Sequence, residues 1–439
     1  MKKITRSRGT SIVLLGLLYL GLTLFMLLTI KRSFVWNGDD IYYQFQRMQN
    51  IIYSIRDAHT IPTISINNFG LIGYGINIFY PWVTLLPFAM ISFLITDPVT
   101  IYYAGLAFFF FISFLISHYS MKSFSHSTKQ AIIFAVVYNF STYRLKGESI
   151  TALVTASFQN TSYRAIEGNV YNIGTILLLT LVIGLLFYKQ FEKKYRIIYW
   201  ISIVSFLLAT NTFPWSLLQH TPIHAIQFPF RILMFTTLFT SVIAAKVIEL
   251  SVQNYSFKIW WIVAGMFVVI NCSLWSLSFN KSIDQTLLSR DDLVITNEMI
   301  NKGEIPDSYL EQYIPKKSQQ SIAQIEQHVA IVDGKKLTMK PAITPEGNQY
   351  QFENIKSQTV IDLPVAYYRG TILKINGEKV PASRSSRGGL RWQADHAYTN
   401  VTLTTNYANR TVYLSVAVIS LLAWIYLVIP NDVYKSKKN

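Results

Sequence analysis

Residues 14–30 read LLGLLYLGLTLFMLLTI, a stretch without a single charged side chain. Similar uncharged apolar runs occupy residues 101–116, 176–187 and 414–429. A helix needs roughly 18 or more apolar residues to cross a bilayer core of about 30 Å, and the core of a soluble protein requires no such runs. These segments therefore predict a multi-pass α-helical integral membrane protein.

The composition supports this prediction. Only 14% of the 439 residues are charged and 51% are hydrophobic, whereas soluble domains carry about 25% charged residues. A formal charge of +16 raises the question of nucleic-acid binding. However, the lysines and arginines stand at the ends of apolar segments, where they orient helices in a membrane. We therefore expect membrane lipids as partners and no nucleic acid.

Eight membrane helices are predicted from these runs. They lie near residues 11–31, 101–121, 129–144, 173–189, 195–211, 229–250, 257–278 and 411–429. The lysine- and arginine-rich segments fall on alternate sides, as the positive-inside rule requires. No small-residue cleavage site precedes Lys31, so the first helix is expected to remain uncleaved. Eight crossings place both termini in the cytoplasm of a cell-membrane protein.

A further apolar stretch, residues 79–96, does not fit this alternation. Pro81, Pro87 and its short length suit a helix that dips into the membrane from the outer face, and a full crossing is the alternative.

The remaining long segments fall on the outer side: residues 32–100, 145–172 and 279–410. The last contains β-rich runs at 337–339, 350–352, 359–362, 371–375 and 401–405. Asn376-Gly377 is typical of a hairpin turn, because both residues tolerate positive φ. The chain is therefore divided into a membrane domain over 1–278, a small extracytoplasmic β-sandwich-like domain over 279–410, and a last helix with a cytoplasmic tail over 411–439.

Asp39 and Asp40 open the first outer segment, directly before an amphipathic pattern over residues 40–56. Adjacent carboxylates at a membrane surface are unfavourable unless they bind a cation, pair with a group such as Arg47, or act as a base. The alternative is that one of them only caps the amphipathic helix.

The second outer segment begins with Arg144, Lys146 and Glu148. Arginine can hold a phosphate through a bidentate fork, and ordinary anchoring at the interface is the alternative interpretation.

Three further candidates precede or begin the 229–250 helix. His220 and His224 have i, i+4 spacing, but Pro222 between them argues against a regular helix and no third zinc ligand follows. Arg231 stands just after Pro229 at the start of the helix, where an anion would be favoured. Snorkelling of Arg231 to lipid headgroups is the alternative.

Several short motifs occur in a characteristic order. They are GDD at 38–40 with Arg47, GYG at 73–75, FYPW at 79–82, YR at 143–144, TNTFPW at 210–215, QFPFR at 227–231, DLP at 362–364 and SRG at 386–388. On these residues the chain resembles a Gram-positive multi-pass membrane family labelled 6-pyruvoyl-tetrahydropterin-synthase-related. More remotely, it resembles the GT-C superfamily of glycosyltransferases, which use polyprenyl-phosphate-linked sugars. Compared with such families the chain looks internally shortened, since only residues 149–172 lie where several more spans are usual.

The resemblance implies a GT-C-like core and roles for individual residues, without pterin chemistry. Asp39 or Asp40 would be the base or a metal ligand, and Glu148 a second catalytic acid. Arg144 and Arg231 would bind the lipid phosphate. Arg47, His220 and His224 complete the expected substrate-binding set. Many GT-C enzymes need no metal, and where one is used it is a divalent cation held by carboxylates.

The leading functional hypothesis is transfer of a sugar from a polyprenyl-phosphate carrier to a cell-envelope polymer on the outer face. The alternative is a non-catalytic scaffold or glycan-binding protein of the cell envelope. A transporter ranks third, because the central spans contain few charged residues. The sequence has no phosphate-binding loop and no long cytoplasmic loop, so any chemistry is expected outside and on lipid-carried substrates.

Overall fold

The computed structural model describes residues 8–36, 41–60, 64–65, 67–141, 173–210, 213, 221, 229–287, 294–302, 311–407, 412, 415–416 and 418–423. The chain divides into two compact units. The helical unit comprises Met1–Asp39, Leu106–Val294 and Val428–Asn439, and the mixed unit comprises Asp40–Gly105 and Ile295–Leu427.

The α-helices in the described residues are α1 (Arg8–Ile30), α2 (Ile41–Ile52), α3 (Ile76–Phe79), α4 (Leu86–Ile91), α5 (Pro98–Ser125), α6 (Thr128–Asn139), α7 (Thr175–Phe187), α8 (Lys193–Leu208), α9 (Leu233–Val252), α10 (Phe257–Leu287), α11 (Asn297–Lys302), α12 (Lys316–Gln319) and α13 (Ile322–Glu326). The strands are β1 (Phe34–Trp36), β2 (Val294–Thr296), β3 (Val329–Val332), β4 (Lys335–Thr338), β5 (Ala342–Thr344), β6 (Gly347–Ile355), β7 (Val360–Leu363), β8 (Thr371–Ile375), β9 (Glu378–Val380), β10 (Ser383–Arg384), β11 (Leu390–Gln393) and β12 (Tyr398–Tyr407).

Four helices in the described part of the chain are long and apolar enough to cross a membrane. They are α1 over Ser11–Ile30, α5 over Pro98–Ser125, α9 over Leu233–Val252 and α10 over Phe257–Leu277. Together with the β-sheet region, they confirm the coarse prediction of a helical membrane protein with a separate β domain. The described residues do not show eight spans.

The other predicted spans have different outcomes. Helices α6, α7 and α8 lie where spans were predicted, but they contain only 12, 13 and 16 residues. The apolar helix Trp82–Ile91 is shorter still, and a crossing takes roughly 20 residues. The span predicted at 411–429 lies mostly outside the described residues.

Small residues let the helices of the helical unit approach one another closely. The α9 helix buries Thr236, Thr237 and Thr240, and the hydroxyl of Thr236 donates to Ser205 of α8 at 3.0 Å. A Cβ at Gly184 of α7 would stand 2.6 Å from the ring of Tyr199. Lipid supplies no hydrophobic force between helices, so close packing and interhelical hydrogen bonds hold such a bundle together.

A polar cluster joins three of these helices at their ends. Lys246 of α9 is 8% exposed, and its ammonium lies 3.1 Å from Glu249 and 3.5 Å from Glu192. Ser127 and Gln130 both donate hydrogen bonds to Glu249. Since each charge is paired, the cluster avoids the large desolvation penalty of an isolated buried ion.

The β region of the mixed unit is a sandwich of two five-stranded antiparallel sheets, with strand orders β10-β11-β7-β3-β4 and β5-β6-β12-β8-β9. Their inner faces share one core, to which alternate residues of each sheet contribute, among them Ile361, Leu390, Tyr350 and Leu403. Every β-rich run of the sequence lies in a strand apart from single residues at run ends. Asn376 and Gly377 have φ of 47° and 96° and join β8 to β9, as the Asn-Gly pair predicts.

The described residues between 41 and 105 pack against this sandwich within the same unit. Tyr43, Phe69 and Tyr74 share a buried cluster with Ile325 and Tyr407. The sequence predicts this segment and the β domain as separate parts of the chain. The residues of their common core are more than 200 positions apart in the chain, and local sequence patterns do not reveal such contacts.

The DLP and SRG motifs provide a buried ion pair inside the sandwich. Arg387 and Asp362 are both 8% exposed, and the Arg387 Nε lies 2.9 Å from Asp362 Oδ2. The other two guanidinium nitrogens donate to the carbonyl oxygens of Val329 and Asp362. All three nitrogens are therefore hydrogen-bonded, and the pair connects β7 to the turn before β11.

We expect Arg387→Met to destabilise the protein by about 3 kcal/mol, because it leaves the buried Asp362 carboxylate without a counter-charge. The matched control is Lys379→Met, which removes an exposed lysine of β9 in the other sheet and should change stability by no more than about 0.5 kcal/mol. Thermal unfolding of the full chain in detergent measures both. Equal melting temperatures for the two variants would show that the pair contributes no stability.

Candidate functional site

An aromatic cleft of about 390 Å³ opens in the mixed unit. Its wall contains the aromatic side chains of Phe79, Tyr313, Tyr367 and Tyr368, and its polar lining residues are Gln312, Arg369 and Arg384, with Ile314 and Pro315 completing it. Apolar and aromatic walls with a few polar groups are typical of small-molecule sites. We call this feature the aromatic cleft.

Tyr368 is fixed at the base of the aromatic cleft by hydrogen bonds at both ends. Its hydroxyl accepts from the Gly75 N–H at 3.0 Å and donates to the Tyr313 carbonyl at 3.1 Å. Its backbone N–H donates to the hydroxyl of Thr371 at 3.0 Å. Burial raises the pKa of Tyr368 well above its ordinary value, so the phenol stays neutral and remains a donor.

Gly75 is required for this position of Tyr368. A Cβ there would lie 2.7 Å from the tyrosine ring, closer than atoms can approach. The GYG motif at 73–75 therefore has a physical explanation at its last glycine, which brings the backbone against an aromatic wall.

Tyr313 ends a 3₁₀ turn, Glu311–Tyr313, and connects the aromatic cleft to the FYPW motif. Its ring packs 5.7 Å from that of Phe79 and, edge-on, 5.3 Å from that of Tyr80. The Tyr313 hydroxyl donates to the Tyr80 hydroxyl at 3.0 Å. Phe79 itself is 56% exposed and faces the open side. Aromatic pairs in such arrangements stabilise one another beyond their buried area.

Arg47 lies behind Tyr80, with its guanidinium carbon 4.9 Å from the ring centroid. The side chain is only 4% exposed, and one nitrogen donates to Gln44 at 2.8 Å. Nε and Nη2 have no hydrogen-bond partner among the described residues. Burial lowers the pKa of Arg47 from its usual value. Two unpaired N–H groups on a buried cation match the oxygens of a carboxylate or phosphate.

Of the residues predicted from the sequence, only two fall in the described part of the chain. Arg47 belongs to the mixed unit, and Arg231 is an exposed residue of the helical unit in the 3₁₀ turn Pro229–Ile232 before α9. Six lie outside the described residues: Asp39, Asp40, Arg144, Glu148, His220 and His224. Within the described ranges, no group of three or more His, Cys, Asp or Glu side chains could hold a metal ion.

The sequence pattern predicts little of the aromatic cleft. Phe79 and Tyr80 belong to the FYPW motif, whereas Tyr313, Tyr367 and Arg369 are not among the predicted site residues. The one local signal was the run YYR at 367–369, an aromatic and cationic cluster between two strands. Such clusters outside strands are commoner at binding sites than in a sandwich core.

Comparison with known protein families, with curated proteins and with solved structures gave no match to this chain. The resemblance to GT-C glycosyltransferases therefore stays a prediction from the motifs, and the site has to be interpreted from its own chemistry.

We expect Gly75→Ala to destabilise the protein by about 1–3 kcal/mol, because the added methyl group would overlap the Tyr368 ring. The control is Gly265→Ala in α10, where a Cβ meets nothing within 4 Å. Thermal unfolding in detergent compares the two variants. A Gly75→Ala protein as stable as the control would mean that Tyr368 is free to move.

Proposed function

We propose that this protein is a membrane-anchored glycan-binding protein of the cell envelope. The long apolar helices hold it in the membrane, and the aromatic cleft of the mixed unit binds the glycan. The observation that carries the proposal is the combination of four aromatic rings, one amide and two guanidinium groups around a single cleft.

Sugar rings have two kinds of surface, and the aromatic cleft has a group for each. The C–H faces of a pyranose are weakly apolar and pack on aromatic rings, which offer rigid area with little loss of conformational entropy. Hydroxyl groups around the ring edge need donors and acceptors, which Gln312 and the Tyr367 hydroxyl supply. A volume of about 390 Å³ lies in the range of pockets that hold small ligands.

The charge-based topology is consistent with this function. Eight crossings with both termini in the cytoplasm would place residues 32–100 and 279–410 outside the cell. Phe79 and the rest of the aromatic cleft fall in these two segments. The proposal therefore puts the cleft in the same compartment as the envelope glycans.

We expect Phe79→Ala to weaken glycan binding about tenfold or more, a change of roughly 1.4 kcal/mol. Phe79 is 56% exposed, so its loss should leave the fold intact. The probe is the envelope polysaccharide of the source organism, immobilised and titrated with full-length protein in detergent by biolayer interferometry. Ile343→Ala is the control, since it removes an apolar side chain of β5 that is 42% exposed and does not line the cleft. Failure of the wild-type protein to bind, or equal binding by both variants, would contradict the proposal.

Glycosyl transfer from a polyprenyl-phosphate carrier is the second candidate. The observation in its favour is Arg47, a buried guanidinium whose Nε and Nη2 lack partners in the described part of the chain. A lipid phosphate would satisfy both donors at once. In that case Asp39 and Asp40, seven or eight positions earlier, would supply the base.

The transferase hypothesis predicts a chemical change in the envelope. Deletion of the gene should remove a glycan modification, and the wild-type gene should restore it, whereas Asp39→Ala/Asp40→Ala should not. Mass spectrometry of envelope glycans is the measurement, with immunoblotting to confirm equal protein levels. Full complementation by the double variant, or an unchanged glycan profile after deletion, would leave glycan binding as the better explanation.

A further inference from the structure

The aromatic cleft carries two cations with no counter-charge in its lining. Arg369 and Arg384 both line it, both are exposed, and the side chain of neither makes a hydrogen bond or ion pair with any described residue. No aspartate or glutamate is among the lining residues. The nearest acid along the chain is Glu311, next to Gln312, which lies outside the lining.

Two more cations flank the same wall. Lys316 and Lys317 follow the lining residue Pro315 directly and are both exposed in α12. Charges of one sign around a cleft raise the local concentration of ligands of the opposite sign. The cleft is therefore electrostatically suited to an anion, whereas its aromatic wall suits a sugar ring.

Arg387 is an arginine of the same domain that has a structural role. It is buried, and all three of its nitrogens bond to protein oxygens. Arg369 and Arg384 have neither property. Among the described residues, neither guanidinium group has a protein partner. The planar fork of a guanidinium binds carboxylate or phosphate through two parallel hydrogen bonds.

We infer that the ligand of the aromatic cleft is an anionic glycan, one that carries carboxylate or phosphate groups. This inference rests on the proposed glycan binding and adds the chemical class of the ligand. The sugar rings pack on Phe79, Tyr313 and Tyr367, and the acidic groups bind Arg369 and Arg384.

The test uses one glycan in three chemical forms. Envelope polysaccharide from the source organism is divided into an untreated portion, a carboxyl-reduced portion and a portion dephosphorylated with cold hydrofluoric acid. Full-length protein in detergent is titrated on each by biolayer interferometry, at low and high salt. We expect tight, salt-sensitive binding to the untreated glycan. One of the two treatments should abolish it, and that treatment identifies the acidic group.

The matched variants are Arg369→Gln/Arg384→Gln and, as the control, Arg391→Gln, an exposed arginine of β11 that does not line the cleft. Glutamine keeps a hydrogen-bonding amide but removes the charge and the guanidinium fork. We expect the double variant to bind the untreated glycan about a hundredfold more weakly, or about tenfold for each arginine. Its binding should also become less sensitive to salt, and the control should bind like wild type.

The outcomes separate the two proposals. If wild type binds all three forms equally, or if the double variant binds as tightly as the control, the inference of an anionic ligand is wrong. The proposal of glycan binding is then unaffected. If wild type binds none of the forms, both proposals fall.

Discussion

The apolar surface of the long helices requires a bilayer around them, and this requirement constrains how the rest of the chain is built. Only 22% of the α1 span and 17% of the α10 span are buried inside the protein, and Leu28 is 73% exposed. Each such side chain would be unfavourable in water by about 1.5–3 kcal/mol, and a bilayer removes this penalty. It also removes the hydrophobic force between helices. The helical unit therefore depends on threonines, serines and glycines that allow close packing, and its buried Lys246 is paired with Glu249 and Glu192.

The mixed unit is built from two segments far apart in the chain, and the aromatic cleft exists only when both are in place. Phe79 comes from the first segment, whereas Tyr313 and Tyr368 come from the second. Hydrogen bonds from Gly75 to Tyr368 and between Tyr313 and Tyr80 join the two. Closing a loop over more than 200 residues is entropically unfavourable, so the buried aromatic contacts must offset it. The contacts that shape the cleft are thus the same contacts that hold the unit together.

This long-range origin explains which features the sequence could predict. Apolar runs and the Asn376-Gly377 pair are local signals, because each depends on neighbouring residues only. The apolar runs predicted the four helices that are long enough to cross a membrane, and the Asn-Gly pair predicted the hairpin. Helix length was less predictable, since α6 ends at Asn139, five residues before the end of the predicted span 129–144. The aromatic cleft could not be predicted, because residues at 79, 313, 367 and 384 become neighbours only in the folded unit. The motif residues Asp362 and Arg387 were conspicuous in the sequence, but they form a buried structural pair.

Arginines in three environments show how this domain separates stability from binding. Arg387 is buried and fully paired, so its charge stabilises the native packing once its partner is present. Arg369 and Arg384 remain in water, where an unpaired guanidinium has little effect on folding. Arg47 is different, because it is 4% exposed and two of its nitrogens lack partners among the described residues. A buried donor without a partner is unfavourable by about 1–3 kcal/mol. Hydrophobic packing around Tyr80 and Tyr313 has to offset that penalty, and any anion that reached the guanidinium would relieve it. The stability of this unit is therefore coupled to the binding of an anion by Arg47.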